Sequence, residues 1–213
     1  MVGLDPSTRR LAGGEPDAPV RRGPDRPPLA AIATLSAAAL GYEILLMRLF
    51  SIIQWHHFAY MMISVALLGY GAAGSFVALA RRRLLDRYAQ VVVAAAALFG
   101  VLAVAGFLLA QRLAFNPLEL LWDPLQPLRL VAVYGLLLPP FFCAATALCL
   151  TFTRFGGDAP RVYSFDIIGA GAGSLAILAA LYAVAPVDAL KLIGALGLAA
   201  AAVAAVRCRL RPR

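Results

Sequence analysis

From Leu29 onward, six long apolar runs alternate with short polar breaks, at approximately 29–48, 56–80, 90–110, 129–153, 162–184 and 188–206. Each is close to the ~20 residues that a helix needs to cross a bilayer at about 1.5 Å per residue. The pattern predicts an all-α, polytopic membrane protein with six transmembrane helices. The run Val91–Ala110 contains no charge at all. The sixth run is mostly Ala, Leu and Gly. A soluble alanine-rich helix would imitate it in isolation, and its place after five other spans assigns it to the membrane. Residues 1–28 are of another kind, with six prolines, five arginines, four acids and almost no large apolar side chain. Such a stretch cannot bury enough surface to offset its ordering entropy, so it reads as a disordered tail. Thr8-Arg9-Arg10-Leu11 is similar to a twin-arginine signal, but the next apolar run begins too far downstream to serve as its hydrophobic region. The domain reading is therefore a tail over 1–28, a six-helix domain over 29–206 and a basic tail over 207–213.

Composition sharpens this picture. In 213 residues, 62% are hydrophobic and 14% charged, which excludes a soluble enzyme. The net charge of +8 rests on 19 basic residues, all arginine except Lys191. They cluster between the apolar runs without interleaved aromatics, so nucleic acid is not an expected partner. The N-terminal tail, the segment Arg81–Tyr88, the pair Arg154 and Arg161, and the C-terminal tail hold most of them. The alternate ends hold only Arg48, Arg112, Arg129 and Lys191. By the positive-inside rule both termini are cytoplasmic, and a bacterial cytoplasmic membrane is the expected location. The connection 111–128 carries Pro117, Pro124 and Pro127 around Leu118, Leu120, Leu121 and Trp122. It reads as a segment lying in the outer interface, with Trp122 and Trp55 in the aromatic belt. Cys143, Cys149 and Cys208 show neither a disulfide framework nor zinc spacing.

Inside lipid an ionised side chain costs about 2.5–3.5 kcal/mol at mid-helix, so each one needs a reason. Glu43 lies two-thirds along the first run and shares a helical face with Ser36, Ala39 and Met47. Such a small, polar face is expected to meet another helix. Arg48, the nearest cation, lies about 140° around the axis and can snorkel to headgroups. His57 opens the second span. His56 and His57 project about 100° apart on a helix and no third histidine exists, so no metal site and no cofactor are expected. Gly69-Tyr70-Gly71-Ala72-Ala73-Gly74 matches the dinucleotide fingerprint in letters only, because no strand precedes it. Gly69, Gly71 and Gly74 are read instead as close helix-packing positions. Gly169 and Gly173 are read the same way, with Asp166 on their face and Arg161 nearby. That carboxylate either fixes helix register or receives a cation. Pro139-Pro140 removes two amide donors from the fourth span and predicts a kink, a feature that also occurs at transporter substrate sites.

Two segments together resemble a family. Gly41-Tyr42-Glu43-Ile44-Leu45-Leu46-Met47-Arg48-Leu49-Phe50-Ser51, followed by Trp55-His56-His57-Phe58-Ala59-Tyr60 and Leu67-Leu68-Gly69-Tyr70-Gly71, is similar to the opening helices of bacterial membrane-embedded, spermidine synthase-like proteins. Val162-Tyr163-Ser164-Phe165-Asp166-Ile167-Ile168-Gly169-Ala170-Gly171-Ala172-Gly173 resembles a later motif of the same family. The resemblance covers 29–206. In that family the membrane region precedes a soluble aminopropyltransferase-like domain, for which these 213 residues leave no room. The resemblance therefore implies kinship without catalysis: a noncatalytic membrane module that anchors or serves a separate aminopropyltransferase-like enzyme on the cytoplasmic side. Glu43, Arg48, His57 and Asp166 match its membrane motifs. The competing expectation is a small secondary transporter or half-transporter for polyamine-like organic cations. The expected partners are the lipid bilayer, the aminopropyltransferase-like enzyme and a second copy of the chain.

Overall fold

The computed structural model describes residues 26–53, 56–113 and 122–208, with the side chains of 52, 53 and 56–59 left aside. Among the described residues the chain is all helix: α1 (Leu29–Ile53), α2 (His56–Asp86), α3 (Tyr88–Ala110), α4 (Gln126–Arg154), α5 (Ala159–Ala183) and α6 (Pro186–Arg207), with one 3-10 turn at Gly156–Asp158. All six are long and apolar enough to cross a membrane.

Element boundaries correct the sequence reading most at two places, since α1 continues five residues past 48 to Ile53 and α2 six residues past 80 to Asp86. The segment Arg81–Asp86 continues α2 as helix, because it holds Arg and Leu, good helix formers, and neither Gly nor Pro. Only Arg87 separates α2 from α3, with φ −114° and ψ 26°. Three helices carry proline in their first turn, α4, α5 and α6, where the missing N–H has no intrahelical acceptor to lose. Asp123 holds the approach to α4, accepting from Leu125 N–H at 2.9 Å and from Gln126 Nε2 at 3.1 Å. Trp122 beside it is 86% exposed.

Helix α1 is the centre of the bundle. It packs most extensively on α5, then on α6 and α2, and touches α4 lightly. Helix α3 lies between α4 and α6, and α2 lies on α4. Chain neighbours α2 and α3, α4 and α5, and α5 and α6 barely meet. The core forms where α1, α3 and α4 converge. The fully buried Tyr42 ring sits 6.1 Å from Phe99 in an edge-on pair and 5.3 Å from Phe141. Phe50 meets Phe107 edge-on at 6.5 Å.

Between helices in lipid, close van der Waals packing replaces the hydrophobic drive, and small residues permit it. Gly169 and Gly173 lie directly against the backbone of Ala33 and Ala37, so α5 runs parallel to α1 with almost no separation. A Cβ on Gly69 would come 2.7 Å from Phe141 Cβ. Gly71 and Gly74 do not pack as their spacing suggested: nothing lies within 4 Å of a Cβ at either, because the buried stripe of α2 passes through Gly69, Ala73 and Val77. Glycines in the featureless α3 and α6 are the ones that pack, at Gly100, Gly106, Gly194 and Gly197.

Helix α4 continues through Pro139 and Pro140. Pro140 offers no N–H to the carbonyl of Leu136, and that oxygen faces α3, 2.5 Å from where Gly106 would carry a Cβ. The hydrogen in place of the side chain points at it, as in the weak Cα–H···O contacts common at helix interfaces.

Candidate functional site

Three helices bring polar side chains together within the spanning region. Ser36 is buried on α1 and faces Asp166, half-buried on α5, one turn before the Gly169 contact. Ser36 Oγ lies 2.9 Å from the carbonyl of Ile32 and 2.5 Å from Asp166 Oδ1. A hydroxyl has a single hydrogen to give. The Ser36 hydroxyl therefore donates to the Ile32 carbonyl or to Asp166 Oδ1, one acceptor at a time.

Glu43 stands two turns further along α1 and is half-buried. The Tyr70 hydroxyl on α2 lies within electrostatic reach of Glu43 first, then Asp166, then Cys149. Its ring, 6.5 Å from Phe141, connects the polar group to the core. Among the described residues neither carboxylate belongs to an ion pair; the salt bridge recorded is Lys191 with Asp188, on the exposed start of α6. Arg48 and Arg161, the expected neighbours, are both exposed. The arrangement is therefore two carboxyl groups and two hydroxyls with no countercharge among the described residues, suited to holding a cation.

Of the four candidate polar residues, Asp166 meets Ser36, Glu43 and Asp166 each lie within electrostatic reach of Tyr70, Arg48 is exposed, and the His57 side chain lies outside the described residues. Sequence reading missed Tyr70 as a participant because it sat inside the glycine pattern and was weighed only as part of it. No group of His, Cys, Asp and Glu among the described residues is arranged to hold a metal ion.

A second polar cluster lies at the arginine-rich end of the bundle. Tyr88 Oη and Thr151 Oγ1 are 3.0 Å apart and buried, and Thr151 donates to the carbonyl of Ala147 at 2.8 Å. The Arg154 guanidinium lies 4.8 Å from the Tyr88 ring centroid and 5.7 Å from that of Phe155. It faces rings rather than an acid, a cation–π arrangement. The buried Cys208 just past α6 feels the same charge: burial pushes its thiol up and Arg154 partly offsets this.

Comparison with known proteins adds no relative: no protein family, curated protein or solved structure matches the chain.

Proposed function

We propose that this chain is a noncatalytic integral membrane module, akin to the membrane region of spermidine synthase-like proteins, that anchors or serves a separate aminopropyltransferase-like enzyme. The observation that carries the reading is that the separate segments bearing the resemblance pack together: Asp166 on α5 hydrogen-bonds Ser36 on α1, and Tyr70 on α2 lies within electrostatic reach of both Glu43 and Asp166. We assign the chain to the bacterial cytoplasmic membrane with both termini inside. Arg81, Arg82, Arg83, Arg87, Arg161 and Arg207, all exposed, then form a cytoplasmic rim for an acidic protein surface or anionic headgroups. The test is crosslinking in native membranes followed by identification of the captured protein. Recovery of a nucleotide-fold aminopropyltransferase-like enzyme is expected, and its absence at saturating crosslinker sinks the idea.

A second reading, a small carrier of polyamine-like organic cations, is favoured by the lack of a countercharge at Glu43 and Asp166 among the described residues. Spermidine uptake into proteoliposomes is then expected to fall at least tenfold in Glu43→Gln and in Asp166→Asn. Unchanged flux in both variants rejects this reading and leaves the first standing.

A further inference from the structure

Helices α2 and α5 present the same face 100 residues apart. From Leu67 to Ala80 the succession of buried, half-buried and exposed positions is identical to that from Ile167 to Ala180. Ser64, Gly69, Gly71, Ala72 and Ala80 keep their identity at 164, 169, 171, 172 and 180. Each helix spends that face on the other half of the chain: Gly69 lies against Phe141 in α4, and Gly169 against Ala33 in α1.

Helices α3 and α6 are related likewise at a separation of 94. Every buried position from Ala95 to Ala110 has a buried counterpart from Ala189 to Ala204. Where the two helices cross, the contacts are reciprocal. A Cβ on Gly100 would meet Gly194 O at 2.6 Å and Leu198 Cγ at 3.2 Å; one on Gly194 would meet Gly100 O at 3.0 Å and Val104 Cγ2 at 2.6 Å. Leu198 is four residues past Gly194, as Val104 is past Gly100. Residue i touching j while j's counterpart touches i's is the mark of a two-fold axis.

The remaining packing obeys the same operation. The seating of α2 on α4 corresponds to that of α5 on α1, and α3 on α4 to α6 on α1, while α2 and α3 are as loosely joined as α5 and α6. Each half contains three helices, so the second half enters the membrane in the opposite sense to the first. We propose that α1–α3 and α4–α6 are inverted-topology repeats about an axis through the α3–α6 crossing. On the carrier reading above, on which this step rests, the chain then works by alternating access, its two states interconverting by exchange of conformation between the halves.

One pairing breaks the symmetry and defines the state seen. Helix α1 packs extensively on α2, whereas α4 barely touches α5. Val65 and Ala66 are accordingly buried, while their counterparts Phe165 and Asp166 are exposed and half-buried. In the exchanged state α4 closes over Phe165 and Asp166, and α1 parts from α2 to uncover Val65 and Ala66. Closure over a charged carboxylate is opposed by its desolvation. It proceeds when a bound cation meets the Asp166 charge, which couples the exchange to cargo.

The repeat operation supplies its own test. Tyr60 and Tyr182, 69% and 96% exposed, span α2 and α5 at the end opposite the arginines. Their counterparts, Pro160 and Arg82, span the same helices at the arginine-rich end. Pulsed electron-electron resonance on the full chain in lipid vesicles, spin-labelled at one pair or the other, reads the two distances without any cargo. Two populations are expected at each pair, the minor distance of one matching the major distance of the other, and Asp166→Asn is expected to raise the minor fraction severalfold. A single distance at each pair in both proteins, or two distances that do not exchange, overturns the proposal. If Asp166→Asn does not fold, the populations of the unsubstituted protein decide alone. Spermidine flux is a separate readout, so exchange without flux rejects the cation reading and leaves the repeat mechanism in place.

Discussion

Ser36 and Asp166 are 130 positions apart and share a hydrogen bond on the seam between α1 and α5. The bond fixes the register in which Gly169 and Gly173 meet Ala33 and Ala37, since sliding α5 by one turn would remove both the bond and the close approach. An asparagine at 166 retains an acceptor oxygen for the Ser36 hydroxyl and a leucine does not. In detergent-titrated unfolding Asp166→Leu is expected to lose about 1 kcal/mol, the scale of interhelical hydrogen bonds in membranes, and Asp166→Asn less than half of that. Equal losses would show that the bond sets nothing.

The glycine contacts divide cleanly. Gly173→Ala places a methyl against the backbone of Ala37 and is expected to cost about 1–3 kcal/mol, as overpacked sites do. Gly71→Ala, with nothing within 4 Å, is expected to stay within about 0.5 kcal/mol of the parent. Melting of both variants in detergent checks the contrast.

Tyr42 carries a hydroxyl that is buried and has no hydrogen-bond partner among the described residues. An unpaired buried donor costs about 1–3 kcal/mol, so Tyr42→Phe is expected to stabilise the protein while keeping both ring contacts. Tyr42→Ala, which empties the junction of α1, α3 and α4, is expected to cost about 3–5 kcal/mol. A loss of stability in Tyr42→Phe would mean that the hydroxyl is engaged.

At the arginine-rich end, a double-mutant cycle of Tyr88→Phe and Thr151→Val isolates their 3.0 Å bond. A coupling of about 1 kcal/mol is expected. Arg154→Gln in the same background tests the cation over the Tyr88 ring, worth about 0.5–1 kcal/mol where exposed.

Cys208 reports on the same cluster through pH. Its thiol is held up by burial, and only the thiolate reacts with maleimide. The labelling profile in the folded protein is therefore displaced to higher pH relative to the denatured chain. A group that holds its proton more tightly when folded favours the folded state less as pH rises past its unfolded value, so this contribution weakens in alkali. Arg154→Gln removes the opposing charge and is expected to displace the profile further upward. Coincident profiles in folded and denatured protein would contradict the burial.

The six spans were legible because helix period and membrane length are local properties of sequence. The extension of α2 through Arg81–Asp86 was not, because a charge cluster marks where a helix leaves the membrane and not where it ends. At the site, Glu43 and Asp166 stood out as charges in apolar runs, and Ser36 as a member of the Glu43 face. The meeting of Ser36 with Asp166 depends on α5 lying along α1, a partner choice that no single helix encodes. Gly71 and Gly74 fitted an i, i+4 spacing, with Ser75 and Ala78, that is real but meets no other helix among the described residues. Gly100, Gly106 and Gly194 went unnoticed in runs without polar residues to mark a face. The recurrences at 100 and 94 residues are separations between burial patterns more than between letters, and identity is kept at too few positions for the sequence alone to announce them.

The loose joining of α2 to α3 and of α5 to α6 bears on how the protein is made. A ribosome delivering this chain releases α2 and α3 long before α4 and α6, the helices they pack against. The first half waits in the bilayer with its glycine faces bare until roughly the last span arrives, so assembly is completed after synthesis rather than during it. A chain severed between α3 and α4 should, by the same token, regain its structure when the two pieces are produced together in one membrane.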